Sequence, residues 1–310
     1  MKVIAIVGPT AVGKTALAIE LAKRYNGEIV SCDSMQVYKG MDIGTAKPTK
    51  EELACVKHHL IDIKNPDQEF SCADYAVLAK KAIEDIQKRG KTPIFCGGTG
   101  LYLDSVIEIP SFCETAKDEE YRAYLENYAA EHGNESVHDM LKEVDPDSAQ
   151  ATHHNNLKRV IRALEIFKCT GVTKTEWDRR SKETKPPYDA TVLFLTCRDR
   201  EEMYRRIDRR VDIMMAEGLM FEVRGLYEGG MLDKKYTSGG AIGYKELLPV
   251  FTQGLGVDVA VADLKMATRH YAKRQLTWFN KKKDYHKIYV DEVNPLDEAI
   301  KILGEYDGQN

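Results

Sequence analysis

The apolar run Val3-Ile4-Ala5-Ile6-Val7 leads directly into Gly8-Pro9-Thr10-Ala11-Val12-Gly13-Lys14-Thr15 and then into the helix-forming stretch from Ala16 to Lys23. Strand, glycine loop and helix in that order constrain the fold more than any other feature, because the loop reads G-x-x-x-x-G-K-T. Its glycines permit a tight turn that aims several backbone N–H groups at one anion, and the helix start adds its positive end. Lys14 supplies a mobile charge for outer phosphate oxygens, and Thr15 supplies a hydroxyl for Mg²⁺. The stretch specifies a cradle for a polyphosphate or pyrophosphate on an α/β fold. It leaves the phosphate compound open.

Further strands follow at Glu28–Cys32, His59–Ile63 and Thr92–Cys96, with a helix from Ala73 to Arg89 that Ser71 caps and Gly90 ends. From Ala116 to Lys185 the spacing is helical only, over Glu119–His132, Ser136–Lys142 and Asn156–Lys168. Thr191–Thr196 resumes the sheet, and Lys287–Val290 is a last strand. The expectation is a P-loop NTPase-like parallel sheet flanked by helices, formed by residues 1–115 and 186–310, with an inserted all-helical subdomain at 116–185.

Composition narrows the function classes. Hydrophobic residues make up 43% of the 310 and charged residues 30%, which suits a soluble globular chain. No apolar run approaches the ~20 residues of a membrane helix, and the core strand at the N-terminus leaves no room for a signal peptide. The 7 cysteines (Cys32, Cys55, Cys72, Cys96, Cys113, Cys169 and Cys197) form no CxxC pair, so reduced thiols in a cytoplasmic protein are expected, and no zinc site. With a net charge of −4, a nucleic-acid partner would have to be held by local basic patches.

Strand ends supply the candidate chemistry. Asp33 follows the second strand, where ligands bind in open α/β sheets. It can take a proton, hold a metal-bound water, or cap the following turn. Asp62, after Leu60-Ile61, is a rival acidic strand end. Thr99 sits in Gly97-Gly98-Thr99-Gly100, either open to a substrate or as a helix N-cap. Arg198, Arg200, Arg205, Arg206, Arg209 and Arg210 alternate with acidic residues and read as a solvated, internally paired face. Arg224 alone is unremarkable. Two basic patches stand apart: Lys158, Arg159 and Arg162 on one helix, and Arg269, Lys273 and Arg274 among His270, Tyr271 and Trp278 on another. Cations beside aromatics suit a folded RNA, and equally a charged surface helix. The pairs His58-His59 and His153-His154 read as structural or capping.

Taken together, Gly8–Thr15, Asp33-Ser34 with Gln36-Val37-Tyr38, Gly40-Met41-Asp42-Ile43-Gly44-Thr45-Ala46-Lys47-Pro48, Gly97-Gly98-Thr99, Arg162-Ala163-Leu164-Glu165, Ala241-Ile242-Gly243-Tyr244-Lys245-Glu246 and Arg269 through Trp278 resemble the bacterial tRNA dimethylallyltransferases from the first strand to about residue 290. The eukaryotic relatives' C-terminal zinc finger has no counterpart. The resemblance implies transfer of a dimethylallyl group from dimethylallyl diphosphate to N6 of adenosine 37, in tRNAs reading codons that start with U. It implies Asp33 as general base, Thr99 near the reacting centre and Arg224 on the leaving diphosphate, with Mg²⁺ on Thr15. It implies tRNA contacts from Asp33, Ser34, Met35, Gln36 and Thr99, from Arg122, from Lys158, Arg159, Val160, Ile161 and Arg162, from Gly240, Ala241, Ile242, Gly243, Tyr244 and Lys245, and from Arg269, Lys273 and Arg274. The partners are then tRNA and dimethylallyl diphosphate, with no membrane and a monomer as the default.

Three alternatives use the same residues differently. A P-loop kinase of small metabolites would share fold and loop. An isopentenyltransferase of free adenine nucleotides would need no RNA-gripping insertion. A non-catalytic RNA- or nucleotide-binding module would leave Asp33 and Thr99 without a task.

Overall fold

The apolar runs become the strands of one parallel sheet. The computed structural model of the chain describes residues 2–108, 118–183, 185–233 and 235–304. Its strands are β1 (Lys2–Val7), β2 (Gly27–Ser31), β3 (His58–His59), β4 (Thr92–Gly97), β5 (Asp189–Thr196) and β6 (His286–Tyr289). They lie in the order β3-β2-β4-β1-β5-β6, each neighbouring pair parallel.

Both faces of this sheet are covered, which is why its central strands are apolar without interruption. Ile4 and Ile6 pack with Leu17, Ala18 and Leu21 of the helix Lys14–Arg24. Val3, Ala5 and Val7 point the other way, into a cluster with Phe95, Tyr75 and Ile83. Each of these buried Val, Ile and Leu side chains contributes roughly 1.5–3 kcal/mol. The helix Cys72–Lys88 starts with a capping box in which Ser71 and Asp74 satisfy each other's backbone N–H.

The third strand is shorter than its sequence suggests. Leu60 and Asp62 adopt φ values of 63° and 55°, left-handed conformations that a continuing strand cannot use. Asp62 then holds a loop in place. Its carboxylate and that of Asp42 hold Lys47 at 2.5 and 2.6 Å.

Contacts divide the chain into two units, Met1–Ile107 with Tyr188–Asn310, and Glu108–Pro187. The first contains the sheet. In the second, the described residues form helices Glu119–His132, Asn134–Val144, Pro146–Ala151, Leu157–Thr170 and Lys174–Glu183. Cys113 and the expected boundary at 115–116 lie outside the described residues. The helical unit has its own core of Leu125, Val137, Leu141, Val160, Ile161 and Leu164. It also buries one carboxylate completely: Glu165 accepts hydrogen bonds from Arg122 and Arg162.

The histidine pairs do local work. His58 Nδ1 lies 2.8 Å from Val56 O, and His59 Nε2 lies 2.7 Å from Glu28. His153 Nδ1 accepts the Asn155 N–H at 3.2 Å.

Candidate active site

Strand order brings three loops to one edge. β2, β4 and β1 are neighbours, so the residues after their C-terminal ends meet: Asp33, Gly97-Gly98-Thr99 and the P-loop. In the P-loop, Gly8 has φ 147° and a Cβ there would meet Leu195 O at 2.2 Å. Gly13, at φ 88°, is the N-cap of the helix Lys14–Arg24. The first-turn N–H groups of that helix have no partner within it. Lys14 folds back so that Nζ donates to Pro9 O at 2.6 Å. Removal from water lowers the Lys14 pKa, and the nearby Asp33 carboxylate opposes that shift.

Asp33 combines two of its expected uses. Its Oδ1 accepts the Met35 and Gln36 N–H groups at 2.8 and 3.3 Å, the Asx-turn that shapes the loop. It also faces the cavity described below. Burial raises its pKa above the usual aspartate range, while the two N–H groups and Lys14 pull it back.

Thr99 is a cap and also ties two strand-end loops together. Its carbonyl accepts the Tyr102 N–H at 3.0 Å as the helix Gly100–Ile107 begins. Its hydroxyl oxygen accepts the Ser34 N–H at 3.1 Å. Its own N–H donates to Cys32 O at 3.1 Å. The turn and β2 come so close that a Cβ on Gly97 would lie 2.1 Å from Cys32 O.

The P-loop, Asp33, Ser34 and Gly97-Gly98 line a cavity of about 450 Å³. Thr10, Gly13, Lys14 and Thr15 form one side of it, and Asp33, Ser34, Met35 and Gln36 another. Gly240–Gly243 and Lys245 contribute a third wall, and Arg210, Tyr271, Arg274 and Gln275 a fourth. The loop from Gly40 to Pro48 closes against it. Glu222 accepts the N–H groups of Asp42, Ile43 and Gly44 at 2.8–3.0 Å, and Gln36 Nε2 donates to the carbonyls of Thr45 and Ala46. An anion cradle and a carboxylate therefore share one cavity, with the Thr99 hydroxyl bonded to Ser34 of its wall, as a group-transfer reaction with a phosphate leaving group can use.

The description "IPP transferase" belongs to the family whose profile matches residues 36–282. The chain is 51% identical over 302 residues to a tRNA dimethylallyltransferase of Bacillus cereus, covering 97% of this chain and 94% of the relative. The chain belongs to the IPP transferase family. A tRNA dimethylallyltransferase of Geobacillus thermodenitrificans is 48% identical over 301 residues, with the same coverage of 97% and 94%. Among solved structures, the full-length tRNA isopentenylpyrophosphate transferase of Bacillus halodurans aligns with a TM-score of 0.73 at 45% identity, covering 99% of this chain and 96% of that one. A eukaryotic dimethylallyltransferase acting on tRNA aligns with a TM-score of 0.88 at 31% identity, covering 100% of this chain and 80% of that one.

In this IPP transferase the other residues singled out in the sequence separate by position. Arg224 is exposed on the helix Leu219–Glu228, pairs with Glu228 at 2.8 Å and does not line the cavity. Arg210 does line it, although its stretch reads as a solvated face. The reading suits its neighbours, since Arg205 and Arg206 pair with Glu202. Arg269 makes a bidentate pair with Asp208, Lys273 is exposed, and Arg274, also exposed, lines the cavity. Tyr244 is fully buried, and its hydroxyl donates to Glu222 at 2.6 Å. In the helical unit Lys158 and Arg159 are exposed. Val160 and Ile161 are 0% and 3% exposed, so their side chains are core and cannot touch an RNA. Arg122 and Arg162 hold Glu165.

The transferase also uses residues that the sequence did not flag. Glu222 and Gln275 are single polar residues on amphipathic helices, and nothing in their spacing distinguishes them from solvated ones. Tyr271 lay inside the basic-aromatic patch, where its aromatic neighbours pointed to RNA stacking. It faces the cavity instead.

Proposed function

We propose that this chain is a tRNA dimethylallyltransferase: it transfers the dimethylallyl group of dimethylallyl diphosphate to N6 of adenosine 37 and releases diphosphate. One observation carries the reading. The P-loop and Asp33 line the same cavity, with Thr99 hydrogen-bonded to Ser34 of its wall, and the family relatives at about half identity bear this activity in their names. A kinase of small metabolites would use the cradle, but would give neither Asp33 nor Thr99 a partner in chemistry. The long match to tRNA-named relatives, helical unit included, argues against a free-nucleotide substrate.

The chemistry follows from the groups present. Negative charge builds on the bridging oxygen as the carbon–oxygen bond of the diphosphate breaks. Backbone N–H groups of the P-loop, Lys14 and Arg210 stabilise that charge. Arg210 takes this role in preference to Arg224, because it lines the cavity and its charge is felt at Lys14. The adenine amine is a weak nucleophile, its lone pair being conjugated with the ring. Asp33 accepts its proton as the new carbon–nitrogen bond forms. Thr99, fixed by Ser34, lies beside that step. Adenosine 37 must leave the anticodon stack to enter a pocket of this size. The exposed cations Lys158 and Arg159 give the helical unit its contact with the anticodon stem.

Mg²⁺ fits the donor set. Among the described residues there is no cluster of three or more His, Cys, Asp or Glu able to hold a metal alone. Magnesium in phosphate sites takes one or two protein ligands and the substrate's phosphate oxygens. The Thr15 hydroxyl, at the cavity wall beside the helix start, is the ligand available. Bound there, the ion would neutralise charge on the leaving diphosphate. No helix among the described residues is long and apolar enough to cross a membrane, and we assign the protein to the cytoplasm as a monomer.

The test is direct. Incubation with dimethylallyl diphosphate and unmodified tRNA, followed by nucleoside digestion and mass spectrometry, is expected to yield N6-dimethylallyl adenosine and free diphosphate. Release of ADP from ATP with no alkylated nucleoside would replace this reading by the kinase.

A further inference from the structure

Transfer requires two fixed points in register: the cradle that receives the departing diphosphate, and the strand end that carries Thr99. One side chain touches both. Gln275, on the helix Val257–Phe279, is 5% exposed. Its Oε1 accepts the Thr10 N–H at 3.1 Å, and its Nε2 donates to Gly98 O at 2.9 Å. The approach is close enough that a Cβ on Gly98 would lie 2.1 Å from Nε2.

The neighbours on the same helix face extend the grip. Tyr271, one turn before, lines the cavity with its hydroxyl in interacting reach of the Thr99 side chain. Trp278, one turn after, donates from Nε1 to Asp104 at 3.1 Å. Spacings of four and three residues put all three on one stripe. A helix that the sequence offers to RNA thus directs this stripe onto the segment from Gly98 to Asp104.

The amide has a fixed orientation, because Thr10 can only donate and Gly98 O can only accept. Neither contact reaches a reacting atom. We propose that Gln275 is a positioning residue for transfer. It sets the separation between the diphosphate cradle at Thr10 and the acceptor side at Gly98-Thr99, so that attack and departure stay in line. Misplacement by about 1 Å costs on the order of 10²-fold in rate. The inference rests on the transferase reading.

The experiment compares wild type, Gln275→Met and Gln275→Glu in the full chain, with dimethylallyl diphosphate, an anticodon stem-loop and a parallel thermal melt. Methionine fills a similar volume but makes neither hydrogen bond. Its kcat is expected to fall about 30- to 100-fold, with KM for dimethylallyl diphosphate within about threefold of wild type. In Gln275→Glu an ionised carboxylate cannot donate to Gly98 O, whereas a protonated one can. Its kcat relative to wild type is therefore expected to rise as pH falls from about 8 to about 5.5. The wild-type rate as denominator cancels the titration of Lys14, Asp33, Tyr271 and the charge of Arg274, which face the same space. A Gln275→Met kcat within about twofold of wild type overturns the proposal, and so does a flat Gln275→Glu ratio. If Gln275→Met does not fold, the ratio alone decides. A wild type that transfers nothing overturns the transferase reading and this inference with it, and that failure is visible before any variant is compared.

Discussion

The Thr99 hydroxyl oxygen accepts the Ser34 backbone N–H at 3.1 Å, fastening the turn after β4 to the turn after β2. Ser34 adjoins Asp33, and both line the cavity, so the hydroxyl is tied to the loop that carries the carboxylate.

Thr99→Ser keeps that hydrogen bond and is expected to retain transfer within a few-fold. Thr99→Val keeps the shape but leaves the Ser34 N–H without its acceptor, and kcat should fall by about 10- to 100-fold. Steady-state rates for the two variants check this. Equal rates would separate Thr99 from the chemistry.

Asp33 must be ionised to accept a proton. Burial raises its pKa, so the acid limb of kcat should lie above the ordinary aspartate range, with rate lost as pH falls through the raised value. Asp33→Asn is expected to lower kcat by about 10²- to 10⁴-fold and to abolish that limb, while tRNA affinity measured by filter binding stays near wild type. An unchanged acid limb in the variant would assign it to another group.

Arg210 and Arg224 are predicted to behave differently, although both lie in arginine-bearing amphipathic helices. Arg210→Ala should lower kcat by about 10²- to 10³-fold, the scale of removing one charge-stabilising donor. Arg224→Ala removes only an exposed i,i+4 pair with Glu228 and should leave the rate within about twofold. The reverse order of effects would mean that Arg224 reaches the diphosphate in the reacting state.

The helical unit has cations of two kinds. Lys158→Ala with Arg159→Ala should weaken tRNA binding and reduce the slope of log affinity against log salt by about 1–2, since each phosphate that is no longer neutralised lowers it by about 1. Arg122 and Arg162 support Glu165 instead. Burial would raise the Glu165 pKa, but the hydrogen bonds from these two arginines outweigh it and hold the carboxyl at about 2, below its reference of 4.5. A depressed folded-state pKa stabilises above the unfolded value. That contribution, about 3 kcal/mol at most, should be lost as pH falls from about 4.5 toward 2. Acid titration of wild type and Glu165→Gln by circular dichroism measures it, and parallel curves would remove the assignment.

Legibility in the sequence followed the physics of each feature. All six strands announced themselves, because a doubly covered parallel sheet needs apolar runs. The third shrank to His58-His59 because the left-handed turns at Leu60 and Asp62 leave no compositional trace. The P-loop and Asp33 were visible because local spacing fixes them. Arg210 and Gln275 were not, since their significance arises from helix rotation: a charged stripe with period 3.6 looks the same whether one of its members faces solvent or a cavity. Val160 and Ile161 show the converse. A resemblance to RNA-contacting residues carried them along with Lys158 and Arg159, yet the apolar side of the same helix is core.

The central claim is that the P-loop holds a diphosphate as leaving group while the carbon attached to it moves to an RNA base. The most direct measurement uses dimethylallyl diphosphate labelled in its carbon chain, with an anticodon stem-loop or AMP as acceptor. The account predicts label in the stem-loop, dependent on its adenosine 37, and little in AMP. Equal labelling of AMP, or hydrolysis of ATP with no label in either acceptor, would contradict it.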